Sequence, residues 1–283
     1  ISGFIAQFGF TSANIGTWCS ALANLPSLER VEFGLQVQET EDQSVLVNAE
    51  PLMELLRAPA LQFVRFDGFY FTNALCHATA NALKEGSSII EIGFKRNCTF
   101  PDGGRAIIAN ALKRNATVTG VSFNGDFDEL FCNTLAAVLL SNSTLETLDV
   151  SAATRASGRW LSSVFLSLGM NTTLKSLTTD INDEFGDELC AAITSGLTKN
   201  TTLEELTLSH MVPSDDDGAV SARDALSFLR INSTLKALTV AFVFESASRE
   251  ESYLSAFRLE TVKMMQDNHF LESLSITTGS KIR

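Results

Sequence analysis

The sequence predicts an α/β fold: a right-handed curved solenoid with a parallel β-sheet on its concave face and helices on its convex face. Three observations predict it. A nine-residue phrase, N-x-T-L-x-x-L-x-[LVF], recurs at a spacing near 28 or 29 residues. The apolar residues within the phrase alternate with polar ones, as in a short strand with one buried face. Between copies the apolar spacing lengthens to four, the stripe of an amphipathic helix.

The first four copies are loose. They are SGFIAQFGF from Ser2, LPSLERVEF from Leu25, APALQFVRF from Ala58 and GSSIIEIGF from Gly86. The next six are NATVTGVSF from Asn115, NSTLETLDV from Asn142, NTTLKSLTT from Asn171, NTTLEELTL from Asn200, NSTLKALTV from Asn232 and NHFLESLSI from Asn268. Successive starts lie 23, 33, 28, 29, 27, 29, 29, 32 and 36 residues apart. The expectation is one repeat domain over residues 1–283 with about ten repeats, the terminal ones degenerate and uncapped.

The connectors follow the same logic. Leu189, Ile193 and Leu197 precede Asn200 by 11, 7 and 3 residues, and Phe131, Leu135 and Leu139 hold the same offsets before Asn142. Trp160, Val164 and Leu168 repeat this before Asn171. Each connector is therefore expected to be a helix with one apolar stripe, on which Trp18 and Trp160 are core residues. Lys199 and Arg114 suit the negative end of a helix dipole, and the Asn that follows each is expected to end its helix in the left-handed conformation. Strand, helix, strand at a short fixed period forces parallel strands and right-handed crossovers.

With the phrase, the helical return and the period in view, the chain resembles the ribonuclease-inhibitor-like subclass of leucine-rich repeat proteins. That group includes Ran GTPase-activating proteins and the sensor arms of immune receptors. The resemblance spans essentially the whole chain and implies a leucine-rich repeat horseshoe. The family pattern continues L-x-L-x-x-[NC], where the Asn or Cys bonds loop backbone. This sequence keeps it at Asn97 and Asn182 and carries Asp126, Ala153, Met211 and Val243 at equivalent positions.

Composition bounds the function. A net charge of −12 with 45% hydrophobic residues argues against sequence-independent nucleic-acid binding, which draws its energy from Lys and Arg. It favours a protein partner, basic or part of a larger assembly. No apolar run is long enough to span a bilayer, so no membrane span is expected.

Alternation places three side chains per repeat on the concave face. In the later repeats these are small and polar: Gly120, Ser122 and Asn124; Thr147, Asp149 and Ser151; Ser176, Thr178 and Asp180; Glu205, Thr207 and Ser209. Ala237, Thr239 and Ala241, then Ser273, Ser275 and Thr277, continue the set. The N-terminal repeats instead offer Arg30, Glu32, Phe63, Arg65, Asp67, Glu91 and Lys95, the candidate partner-binding set. The competing reading has Phe63 packed on a neighbouring strand and the charges solvated.

The longest intervals carry acidic insertions, ETED from Glu39, SDDDG from Ser214 and ESASREE from Glu245. They serve either to attract a basic partner or as solvated loops. Asp215, Asp216 and Asp217 join the candidate binding set, but they lack the alternating ligands and distal Glu of a calcium loop, so no metal is expected.

Cys76, Cys132 and Cys190 each precede a phrase by ten residues, in alternate repeats too far apart for a disulfide. Buried thiols favour a reducing compartment, and an intracellular, cytoplasmic location follows. Against that stand six N-x-[ST] sequons, at Asn97, Asn115, Asn142, Asn171, Asn200 and Asn232, of which the last five coincide with the helix-ending Asn. His77, His210 and His269 fall in different repeats, and no nucleophile, metal or phosphate-loop motif accompanies them, so neither catalysis nor a cofactor is expected. The expected function is a non-catalytic interaction module or scaffold subunit. Regulation of a small GTPase, implied by resemblance alone, and ligand recognition by a receptor ectodomain are the alternatives.

Overall fold

The structure, a computed structural model, describes residues 4–6, 15–34, 49–95, 98–151, 158–181, 187–211, 226–244, 263–264, 266 and 268–280. The chain divides into two compact units, residues 1–125 with 141–145, and residues 126–140 with 146–283.

In the first unit β1 (Phe4–Ala6), β2 (Arg30–Gly34), β3 (Phe63–Asp67), β4 (Glu91–Phe94) and β5 (Gly120–Phe123) pair in sequence order, every pair parallel. Helices α1 (Ile15–Ala23), α2 (Ala49–Leu56), α3 (Asn73–Lys84) and α4 (Gly104–Ala111) alternate with them. The second unit repeats the plan. Its strands β6 (Thr147–Val150), β7 (Ser176–Asp180), β8 (Glu205–Met211), β9 (Ala237–Phe244) and β10 (Ser273–Ser280) are again parallel and in order. Helices α5 (Glu129–Ser141), α6 (Gly158–Leu168) and α7 (Asp187–Lys199) alternate with the first of these. The described connector into β9 ends in a short 3₁₀ turn, Ser227–Arg230.

The strands fall where the phrases place them, with one exception. Ala6 lies opposite Phe33, 27 positions later, so the first strand sits four residues earlier than the phrase alignment from Ser2 predicts. The segment FIAQFGF offers the same alternating pattern in two registers, and strand pairing decides between them. The corrected spacing matches the period of the rest.

The cores form as the stripes predict. Leu189, Ile193 and Leu197 are buried in α7, Phe131, Leu135 and Leu139 in α5, and Val164 and Leu168 in α6. Trp18 departs from expectation, being 39% exposed: Ile15, Cys19 and Leu22 form the buried stripe of α1, and Trp18 stands on its flank. Trp160 is half-buried. Two side-chain oxygens start helices by accepting a backbone N–H three residues on, Thr72 Oγ1 from Leu75 and Asp128 Oδ1 from Phe131.

Candidate partner-binding face

Strand alternation decides which side chains reach solvent. In β2, Val31 and Phe33 are buried while Arg30 and Glu32 are not, and β3 repeats this with Val64 and Phe66 against Phe63 and Arg65. The parallel register then lines up the outward residues. Arg30 lies opposite Phe63 and Phe63 opposite Glu91, while Glu32 lies opposite Arg65 and Arg65 opposite Gly93. Five of the sequence-predicted residues thus share one face.

These residues hold one another. Arg65 stands between two carboxylates, 3.6 Å from Glu32 and 4.0 Å from Glu91. The Arg30 Nε lies 3.6 Å from the same Glu32 oxygen, and its guanidinium carbon is 5.2 Å from the Phe63 ring centroid. Gly93, opposite Arg65, keeps the spot clear of a side chain, because a Cβ there would sit 2.7 Å from the Ser122 Oγ. The same residues line a shallow depression of about 10 Å³, room for roughly one water. Phe63 therefore packs beneath an arginine rather than standing alone as an anchor. Side-chain exposures of 24–48% leave the ion pairs in high dielectric, so each contributes under about 1 kcal/mol to folding. They orient the guanidinium planes more than they stabilise the fold.

Asp67 and Lys95 sit apart from this pairing. Asp67 is the exposed last residue of β3, and Lys95 follows β4, its N–H donating to the Phe66 carbonyl at 2.8 Å. Asp215, Asp216 and Asp217 lie outside the described residues, as do the insertions at 39–42 and 245–251.

The later repeats require a correction. Asn124, Ser151 and Asp180, expected as the third outward residue of their strands, are buried at 5%, 8% and 3% exposure. At Ser151 the chain has left β6 and turned in, and its N–H and hydroxyl both bond the Asp149 carboxylate, at 3.1 and 2.5 Å.

A second role went unread in the sequence. Asn115 does not adopt the left-handed conformation, for its φ of −71° and ψ of 135° are extended. Its side chain works instead. Nδ2 donates to the Leu83 carbonyl at 2.7 Å, and Oδ1 accepts the N–H groups of Thr117 and Val118 at 3.0 and 2.7 Å. Asn142, Asn171, Asn200, Asn232 and Asn268 repeat the arrangement on Leu112, Leu139, Leu168, Leu197 and Leu229. Each ties the end of the helix one repeat earlier to the start of the strand that follows the Asn. The five that stand in sequons are buried with Nδ2 already donating, so this fold has no room for a glycan on them. Asn97 and Asn182 lie outside the described residues.

All five cysteines are buried, and no disulfide joins them. Burial pushes the Cys19, Cys76 and Cys132 thiols up to about 12 and Cys98 to about 11, so these four are neutral at physiological pH. Among the described residues no helix is long and apolar enough to cross a membrane.

No family model matches the chain. Among solved structures it is similar to one described as leiomodin-1 actin-binding site 2, with 19% identity and a TM-score of 0.38 over 57% of this chain and 90% of that one.

Proposed function

We propose that the chain is a curved, right-handed solenoid of leucine-rich repeats, of the ribonuclease-inhibitor-like kind, and a non-catalytic module that binds a protein partner through the β2–β4 face. One observation carries the reading. Arg30 and Arg65 stand half-exposed and pre-oriented, one over the Phe63 ring and the other between Glu32 and Glu91. Arginine and aromatic side chains dominate interface energetics, and residues already held in place lose less entropy on binding. The net charge of −12 favours a basic partner or a larger assembly. Buried thiols without disulfides fit an intracellular setting.

Charge reversal tests the face. R30E combined with R65E is expected to abolish association with the partner that co-purifies from the native source, identified by mass spectrometry, while circular dichroism stays unchanged. Association that survives both substitutions rejects the β2–β4 face.

A further inference from the structure

Large apolar side chains reach solvent together on two helices of the second unit. Leu130 and Leu140 in α5, Leu166 in α6 and Met170 just beyond it are each more than half exposed. By contrast, α2, α3, α4 and α7 expose no large apolar side chain among the described residues. The Asn171 amide donates to the Leu139 carbonyl at 2.8 Å, and Leu140 and Met170 adjoin that bond, so the exposed residues of the two helices meet in one patch. Leu166 lies one helical turn before Met170, on the same side. A contiguous exposed apolar patch of this kind marks a surface that another molecule covers.

Charge borders the patch on α7. A Cβ placed on Gly169 would meet the Lys199 Cβ at 3.4 Å, which sets Lys199 beside the Met170 end of the patch. Glu188 is exposed at the opposite end of α7, about 16 Å away along the helix. Neither Glu188 nor Lys199 makes an ion pair among the described residues.

The arrangement is complementary to itself. Leu130 and Leu140 stand 12 and 2 residues before Asn142, and Glu188 and Lys199 stand 12 and 1 before Asn200. The midpoints of the two pairs therefore fall at the same level of the repeat, within about 1 Å. A half-turn about an axis running across α5, α6 and α7 at that level reverses the helices. It sets Leu130 of one copy over Leu140 of the other and, by the same operation, Glu188 over Lys199. Leu166, 5 residues before Asn171, lies about 3 Å from the axis, against its own symmetry mate.

We propose that the α5–α7 face binds a second copy of this chain in a two-fold dimer with antiparallel helices, Leu166 at the axis, Leu130 against Leu140 and Glu188 against Lys199. One rotation satisfies the apolar and the charged pairs together, which is what commits the face to a second copy. These residues are distinct from the β2–β4 set, so either proposal can fail without the other.

Sedimentation equilibrium of the full chain over a series of concentrations tests it, and a monomer–dimer equilibrium is expected. L166E brings two carboxylates together at the axis and is expected to raise the dissociation constant about a hundredfold or more. K199E is expected to raise it about three- to thirtyfold, since symmetry makes one reversal act twice, and E188K added to K199E is expected to recover most of that loss. All of these side chains are exposed, so circular dichroism is expected to stay unchanged. R30E combined with R65E is expected to leave the dimer intact. A chain that is monomeric at every concentration, a dimer unmoved by L166E, or an E188K and K199E variant no tighter than K199E alone overturns the proposal. A dimer lost in R30E with R65E but kept in L166E also overturns it, by assigning self-association to the β2–β4 face.

Discussion

An asparagine side chain carries two donors and an acceptor, and a buried one is tolerable only when most of them are used. Asn200 satisfies that condition. Its Nδ2 donates to the Leu168 and Asn171 carbonyls at 2.6 and 3.2 Å, and its Oδ1 accepts the Thr202 and Leu203 N–H groups at 3.0 and 2.7 Å. Truncation orphans the N–H of Leu203, a residue 0% exposed. N200A is expected to lower stability by about 2–4 kcal/mol, read as a lower urea midpoint, because each buried group left unsatisfied costs about 1–3 kcal/mol. N200D is expected to fare no better, since it keeps the acceptor but loses the donor and adds a charge at a site 3% exposed. A midpoint unchanged in N200A would show that the ladder contributes nothing.

Between elements, the controlling distance is that from helix to helix. In α7, Gly196 faces α6 so closely that a Cβ would collide with the Phe165 carbonyl oxygen, which a main-chain atom cannot avoid by changing rotamer. Alanine has a higher helix propensity than glycine by about 1 kcal/mol, so an unobstructed G196A would stabilise α7. The collision is expected to win, with a net loss of about 1–3 kcal/mol as the helices are forced apart. Gly169 serves as the control. A Cβ there would meet nothing nearer than 3.3 Å, and G169A is expected to cost less than G196A in the same denaturation series. Equal effects would remove close approach as the reason for Gly196.

Across the whole molecule, the two units fill the same position of the strand differently. The last residue of the phrase is Phe33, Phe66, Phe94 and Phe123 in the first unit and Val150, Thr179, Leu208 and Val240 in the second. The in-register strands stack the four rings at 5.3, 5.5 and 5.1 Å with interplanar angles of 9°, 10° and 12°, close to the spacing between strands. Phe69 and Phe71 meet Phe66 edge-on at 5.1 and 5.2 Å. F66A is expected to cost about 3–5 kcal/mol, the range for a phenylalanine lost from a core. The loss is expected as faster hydrogen exchange over residues 30–123, with residues 160–240 affected much less. Exchange that accelerates equally in both stretches would mean that the rings do not set a local unit.

Much of this was legible because the information is periodic. A phrase repeated ten times announces strands and helices even where single copies are weak, and alternation within β2–β4 correctly turned Arg30, Glu32, Phe63, Arg65 and Glu91 outward. Alternation also has limits. It misplaced Asn124 and Ser151, because it counts residues without knowing where a strand ends, it missed that Asp180 is buried as the last residue of β7, and it set the first strand four residues late, because two registers fit one apolar pattern. The asparagines were seen but read as backbone devices, since a sequence shows that an Asn recurs and not what its amide touches 27 to 39 residues away. The repeat, its period and the sign of its charge were determined by the sequence alone, being properties of residue order and composition. Which arginine leans on which ring and which amide ties which helix end were decided only by the tertiary structure, because each is a relation between residues a whole repeat apart.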